Sequence, residues 1–274
     1  GIIHDLEKGK NIQVKIARMG MFENNVAVGN ALVDMYVKCN CIVKANEIFD
    51  LLPVRDVVSW TTLIASYVVK EAGEEALGCF EHMQLEGVMP DVLTYVCGLK
   101  ACSSIGSLEM GQNIHTQIMQ GEFLSKDIVV GNALIDMYAK CGVLRKSQQI
   151  FDKLRVRNVI CWNSLISGYV EHGKGTMALK LFQDMQIQGF TSNAIIFSCV
   201  LRACGSVGAL LQGRILHEQI NECELQSDKI IHSSLIDMYT KCWSLSEATW
   251  IFEKSSDQNI VSCNALLVDY IEQG

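Results

Sequence analysis

The side chains able to do metal or nucleophilic chemistry are twelve cysteines and six histidines. A zinc centre that activates water on a base needs an H-x-E motif to move protons and a C-x-x-C pair to hold the ion. No histidine here has glutamate two residues on, and no C-x-x-C occurs; "CNC" at 39–41 is one residue too short. There is no glycine-rich phosphate loop and no G-x-S-x-G. The cysteines recur instead in fixed slots: Cys39, Cys141 and Cys242 share one, Cys102 and Cys204 another, in apolar stretches such as "LKAC" and "LRAC". A free cysteine behaves as a small buried hydrophobe, and a long chain with such thiols suits a reducing compartment. His115 and His217 also share a slot, which points to packing rather than to a metal. No metal or cofactor is expected, and no catalysis by this segment.

The recurrence is general. "GNALIDMYAKCG" starts at Gly131, "GNALVDMYVKCN" at Gly29 and "HSSLIDMYTKCW" at His232. A second series is "VVSWTTLIASY" (57–67), "VICWNSLISGY" (159–169) and "IVSCNALLVDY" (260–270). A third is "TYVCGLKACSSIGSLEMGQNIHTQI" (94–118) and "IFSCVLRACGSVGALLQGRILHEQI" (196–220), with a remnant, "LEKGKNIQVKI", at 6–16. Self-similarity at a fixed period is the signature of a repeat array. The chain has 274 residues, 49% of them apolar, and only two prolines, Pro53 and Pro90. That allows a continuous helical core. No apolar run reaches about 18 residues, so no transmembrane helix is expected. The chain opens on Gly1 and closes within a recurring pattern, so it is expected to be a segment of a longer protein.

Each unit reads as two helices. Leu134, Ile135 and Tyr138 fall at helical spacing, Gly142 breaks the pattern, and Leu144, Ile150 and Phe151 mark a second helix. Ala76, Phe80 and Met83 step along one helical face, as do Ala178, Phe182 and Met185. One hairpin cannot bury its apolar stripe alone, but stacked hairpins can. The fold class is therefore all-α, an α-solenoid.

These phrases resemble a known family. The chain is similar to plant organellar pentatricopeptide repeat (PPR) proteins of the PLS subclass, built from alternating P, L and S motifs. "GNALIDMYAKCG" resembles the S signature, "VVSWTTLIASY…EEALGCFEHMQLEGVMPD" a P motif, and "GLKACSSIGSLEMGQNIHTQI" an L motif. The resemblance implies a right-handed superhelix of helix-turn-helix hairpins. It divides the chain into a partial L (1–25), S 26–56, P 57–91, L 92–127, S 128–158, P 159–193, L 194–228, S 229–259 and a partial P (260–274).

The resemblance further implies single-stranded RNA as the partner, read one base per repeat by two or three side chains. The readers are the fifth and last residues of each motif. They are Asn30 with Asp56, Thr61 with Asp91, Asn132 with Asn158, Asn163 with Asn193, Ser233 with Asn259, and Asn264 in the last P. The L motifs hold Val96 with Asp127 and Ser198 with Asp228, and their preference is left open. An ionised Asp only accepts and suits the imino N–H of G or U; Asn also donates and suits C or A. A short Thr or Ser leaves room for a purine, and the longer Asn reaches a pyrimidine. The expected core is 5′-UGnCCnA-3′. Apart from the family, the same residues read as N-caps and turn residues. The second residue of each motif is implied to pack between bases: Val58, Val129, Ile160, Ile230 and Val261, with Ala27, Leu93 and Ile195 in the same slot. Helix-start core residues are the competing reading.

Charge counts against RNA. The chain has 23 Lys plus Arg and 30 Asp plus Glu, a net charge of −7, whereas phosphate contacts supply most non-specific affinity. Lys38, Lys140 and Lys241 share a slot and are candidates for a basic stripe, or else solvated last-turn lysines. A protein-binding helical scaffold is the alternative function. Family resemblance implies a monomeric recognition segment of an RNA-processing factor, with C-to-U editing as the process. It also implies a mitochondrial or chloroplast location, other editing factors as further partners, and no membrane. A deaminase-type domain is expected, if anywhere, C-terminal to this segment.

Overall fold

The computed structural model describes residues 2–19, 25–121, 127–225 and 228–254. They form fifteen α-helices, and there is no strand among the described residues. A lone helix, α1 (Ile2–Arg18), precedes hairpins α2 (Val26–Lys38)/α3 (Ile42–Asp50), α4 (Val57–Val69)/α5 (Gly73–Leu85) and α6 (Val92–Ile105)/α7 (Leu108–Gln120). Next come α8 (Ile128–Lys140) and α9 (Leu144–Lys153), then hairpins α10 (Val159–Glu171)/α11 (Gly175–Ile187), α12 (Ala194–Val207)/α13 (Leu210–Glu222) and α14 (Lys229–Lys241)/α15 (Leu245–Lys254).

The chain divides into two units, residues 1–141 and 142–274. In the first, α2, α4, α6 and α8 stack in a row, and α3, α5 and α7 each wedge between their own first helix and the next. In the second, α10, α12 and α14 form the row; α11 and α13 wedge between them, while α9 packs on α10 and α15 on α14. Consecutive first helices touch, so their N-terminal turns line up along one edge of each unit.

The two helices of a hairpin start differently. Every first helix begins at an Asp or Asn whose side chain accepts from the exposed N–H groups of the first turn: Asn25, Asp56, Asp91, Asp127, Asn158, Asn193 and Asp228. Losing such a cap costs about 1 kcal/mol. Second helices α3, α5, α7, α9, α11 and α13 have no side-chain cap. The chain enters them through one residue at positive φ: Asn40, Glu71, Gly106, Gly142, Gly173, Gly208 and, before α15, Trp243.

The thrice-written "DMY" phrase is a docking device. Met137 lies over Gly111 of the preceding hairpin, where an added Cβ would come within 2.5 Å of its sulfur. Met35 over Gly9 and Met238 over Gly213 repeat the contact. Beside it the tyrosine hydroxyl reaches the preceding second helix: Tyr138 to His115 Nδ1 at 2.9 Å, Tyr239 to His217 Nδ1 at 3.0 Å, and Tyr36 to Gln13. The histidines are packing residues, and burial, helped by the field of His232, lowers the His217 pKa. Burial pushes the Cys102 and Cys204 thiols up to about 12, which keeps them protonated and inert.

One ion cluster sets a pH dependence. Glu247 accepts hydrogen bonds from Ser244 (2.7 Å), Ser246 (2.7 Å) and Arg214 of α13 (2.5 Å), which hold its carboxyl down at about 2. Because the folded value is depressed, the stabilisation is present above the ordinary carboxylate range and is lost as pH falls toward about 2. Melting curves over that window should slope less steeply in Glu247→Gln than in wild type. Equal slopes would remove Glu247 from the acid response.

Candidate nucleic-acid interface

The candidate interface is the capped edge of each unit. In all six caps from Asp56 onward, capping bonds fall on one atom, Oδ1. Asp56 Oδ1 accepts from the Ser59 N–H and hydroxyl, both at 2.8 Å, and from Asn30 Nδ2 at 3.4 Å. Asp91 Oδ1 accepts from the Thr94 N–H at 2.8 Å and hydroxyl at 2.7 Å. Asp127 Oδ1 takes Val129 N–H (2.8 Å), Asn158 Oδ1 takes Cys161 N–H (3.0 Å), and Asn193 Oδ1 takes Ile196 N–H (3.0 Å). Asp228 Oδ1 takes the N–H groups of Ile230 and Ile231. With Oδ1 committed, an Asp presents an acceptor, Oδ2, and an Asn presents a donor, Nδ2. Burial raises the Asp56 carboxyl, but the Ser59 and Asn30 hydrogen bonds outweigh it and hold it below the ordinary range.

The fifth residues lie deeper. Asn30, Thr61 and Asn132 are only 5–8% exposed, while Asn163 and Ser233 are half-buried. Oδ1 of Asn30, Asn132 and Asn163 is buried without a hydrogen-bond partner. Two predicted pairs are brought together: Asn30 touches Asp56 directly, and Thr61 reaches Asp91 through Thr94, whose Oγ1 is 2.6 Å from Thr61 Oγ1. Ser233 instead bonds back to the carbonyls of Lys229 and Ile230. Val96 is core, and Ser198 pairs with Ser234 at 2.8 Å. Asn259, Val261 and Asn264 lie outside the described residues.

The second residues lie at the surface, against the helix-start core reading given above. Val58, Leu93, Val129, Ile160, Ile195 and Ile230 are 49–58% exposed, each in the first turn of its helix. They are not core. In the first unit an open groove of about 490 Å³ is lined by Val58, Leu93, Thr61 and Asp91, and also by Lys38 and Lys70. Two successive apolar second residues thus flank one fifth residue and one capping carboxylate.

Two family models match the sequence. One, described as "PPR repeat family", matches residues 55–104 and 157–206; the other, "PPR repeat", matches 30–57, 132–159 and 230–260. Together they span well over half of the chain. The chain belongs to the pentatricopeptide repeat family. Its PPR relatives in Arabidopsis thaliana include At3g09040, named mitochondrial, 34% identical over 98% of this chain and 26% of its own length. At4g18520, named chloroplastic, is 34% identical over 93% of this chain and 41% of its own. At4g38010 is 36% identical over 97% and 47%. The chain thus spans less than half the length of these relatives. Among solved structures, PPR10 in complex with an 18-nt psaJ RNA element aligns with a TM-score of 0.81 at 14% identity, over 97% of this chain and 40% of that one. PPR10 from maize gives 0.56 at 20% identity, over 97% and 45%. The likeness is one of fold, an all-α helical-repeat solenoid.

Cations are less available on this PPR chain than their number suggests. Lys38, Lys140 and Lys241 each pair with the aspartate four residues back, Asp34, Asp136 and Asp237, at 2.7, 3.0 and 2.8 Å. The proposed stripe therefore resolves into three separate i,i+4 ion pairs, each worth about 0.3–0.5 kcal/mol. Arg55 and Arg157 lie over the rings of Phe49 and Phe151, at 5.1 and 4.7 Å from the ring centroids, and donate to the carbonyls of the same residues. Sequence reasoning missed Ser59 and Thr94, although the D-x-x-S and D-x-x-T spacing is a readable capping box.

Proposed function

We propose that this PPR chain binds single-stranded RNA, one base per hairpin, as the recognition segment of an organellar RNA-processing factor of the PLS type that serves C-to-U editing. The groove between Val58 and Leu93 carries the reading. A base inserted there is held between two apolar side chains, and its edge meets Thr61 and the free Oδ2 of Asp91. Asp at the cap offers an acceptor to the imino N–H of G or U; Asn offers a donor to the ring nitrogen of C or A. With the protein's N-terminus toward the RNA 5′ end, the described pairs and Asn259 give 5′-UGnCCnA-3′. The solved complex of PPR10 with an RNA element and the mitochondrial and chloroplastic names of relatives support RNA as ligand and an organelle as location.

Val58→Asp with Leu93→Asp tests it. Both side chains are exposed, so stability should move by no more than about 0.5 kcal/mol. Affinity for 5′-UGnCCnA-3′ RNA in a gel shift should fall at least about tenfold, since acids there repel phosphate and remove the apolar clamp. Wild-type affinity in the double variant would reject the groove as the site. Retention of no RNA from mixed single-stranded pools would favour the protein-binding scaffold.

A further inference from the structure

We propose that Thr94, a residue of the next hairpin, sets the base preference at Thr61 and Asp91 by making the Thr61 hydroxyl an obligatory acceptor. The proposal rests on the base-reading role given to those two residues. Thr94 is fully buried, and its Oγ1 has three neighbours: Asp91 Oδ1 at 2.7 Å, Thr61 Oγ1 at 2.6 Å and the Asp91 N–H at 3.4 Å. A hydroxyl has one proton to donate and two lone pairs to accept with. The carboxylate oxygen can only accept, so the Thr94 proton goes to Asp91. The Asp91 N–H takes one lone pair of Thr94, and the Thr61 proton takes the other. Every hydrogen-bonding capacity of Thr94 is then used, and Thr61 Oγ1 keeps lone pairs only.

The groove therefore offers a base two acceptors, Thr61 Oγ1 and Asp91 Oδ2. Guanine carries two adjacent donors on its Watson–Crick edge, N1–H and N2–H. Adenine carries one amino donor beside a bare ring nitrogen, which an acceptor repels. Selection of G over A in this hairpin thus depends on a residue that does not itself meet the base. Among the described residues the relay is particular to this place. At the preceding site Asn30 reaches Asp56 without an intermediary, although Ser59 fills the matching slot. At Asn193 that slot is Ile196, which has no hydroxyl.

The test measures affinity of the full chain for RNAs differing only at the base facing Thr61, with the base facing Asn163 as an internal control. Wild type and Thr94→Ser, which keeps the hydroxyl, should prefer G over A. Thr94→Val should lose that preference by about tenfold, the scale of one hydrogen bond lost or left unsatisfied, with discrimination at the control base unchanged. Asp91→Ala separates the two levels. If it leaves the preference intact, base reading at this hairpin fails and the relay with it. If it abolishes the preference while Thr94→Val does not, base reading stands and the relay is overturned. Should Thr94→Val not fold, Thr61→Val removes the same acceptor from the other end, and a retained preference for G overturns the proposal.

Discussion

Trp162→Ala lowers the stability of the second unit by about 3–5 kcal/mol, the range for truncating a buried tryptophan. Trp162 is 1% exposed. It meets Phe151 edge-on at 4.5 Å between ring centroids and Phe190 at 6.2 Å, and Arg157 lies over the Phe151 ring at 4.7 Å from its centroid. Its indole Nε1 has no hydrogen-bond partner, so what the ring contributes is packing. Removing it opens a cavity between α9, α10 and the segment holding Phe190. The cavity lies one turn from the Asn158 cap, so the capped edge should loosen with the core. Trp60, edge-on to Phe49 at 4.7 Å under Arg55, is the same device in the first unit, and Trp60→Ala should act there. Urea unfolding followed by circular dichroism reads both. In an array each hairpin depends chiefly on its neighbours, so each variant should destabilise its own unit and leave a residual transition for the other. A loss under about 1 kcal/mol for Trp162→Ala, the ordinary level of a substitution without a special mechanism, would mean that the aromatic stack is not what holds α9 to α10.

Why some of this was legible in the sequence and some was not has a physical basis. Helical hairpins show in the chain because Leu134, Ile135 and Tyr138 keep helical spacing, and because Asp and Asn stand where first helices begin. Both signals are local. The second residues were ambiguous because periodicity registers that Ile160 is apolar, not that its place in the first turn leaves it half exposed. The fifth residues are the opposite case. Asn30 and Asn132 are polar, yet stacking of consecutive first helices buries them. Lys38, Lys140 and Lys241 looked like a basic stripe only when counted without the aspartate one turn back, which "DMYVK", "DMYAK" and "DMYTK" spell out. Thr94 was out of reach because its link to Thr61 depends on the spacing of two neighbouring first helices.

Exchanging two side chains in one hairpin should change the base it selects. In Asn163→Thr with Asn193→Asp, preference at the fifth base of 5′-UGnCCnA-3′ should turn from C to G. Asn193 caps α12 through Oδ1 to Ile196 N–H at 3.0 Å. Asp caps about as well as Asn, so the helix start survives. The atom left over changes from Nδ2, a donor suited to the ring nitrogen of cytosine, to Oδ2, an acceptor suited to the imino N–H of guanine. Asn163→Thr removes an amide whose buried Oδ1 has no partner and leaves space for the larger base. By analogy with mismatches in protein–DNA sites, the shift in relative affinity should be about 1–3 kcal/mol. Without a hydroxyl at Ile196 the new threonine keeps a free proton. The engineered site should therefore accept G against C more sharply than it rejects A, unlike the natural site at Thr61. Competition binding with the four RNAs that differ at this base measures both effects. A double variant that still prefers C, or two proteins that do not distinguish the RNAs, would show that these side chains do not read the base.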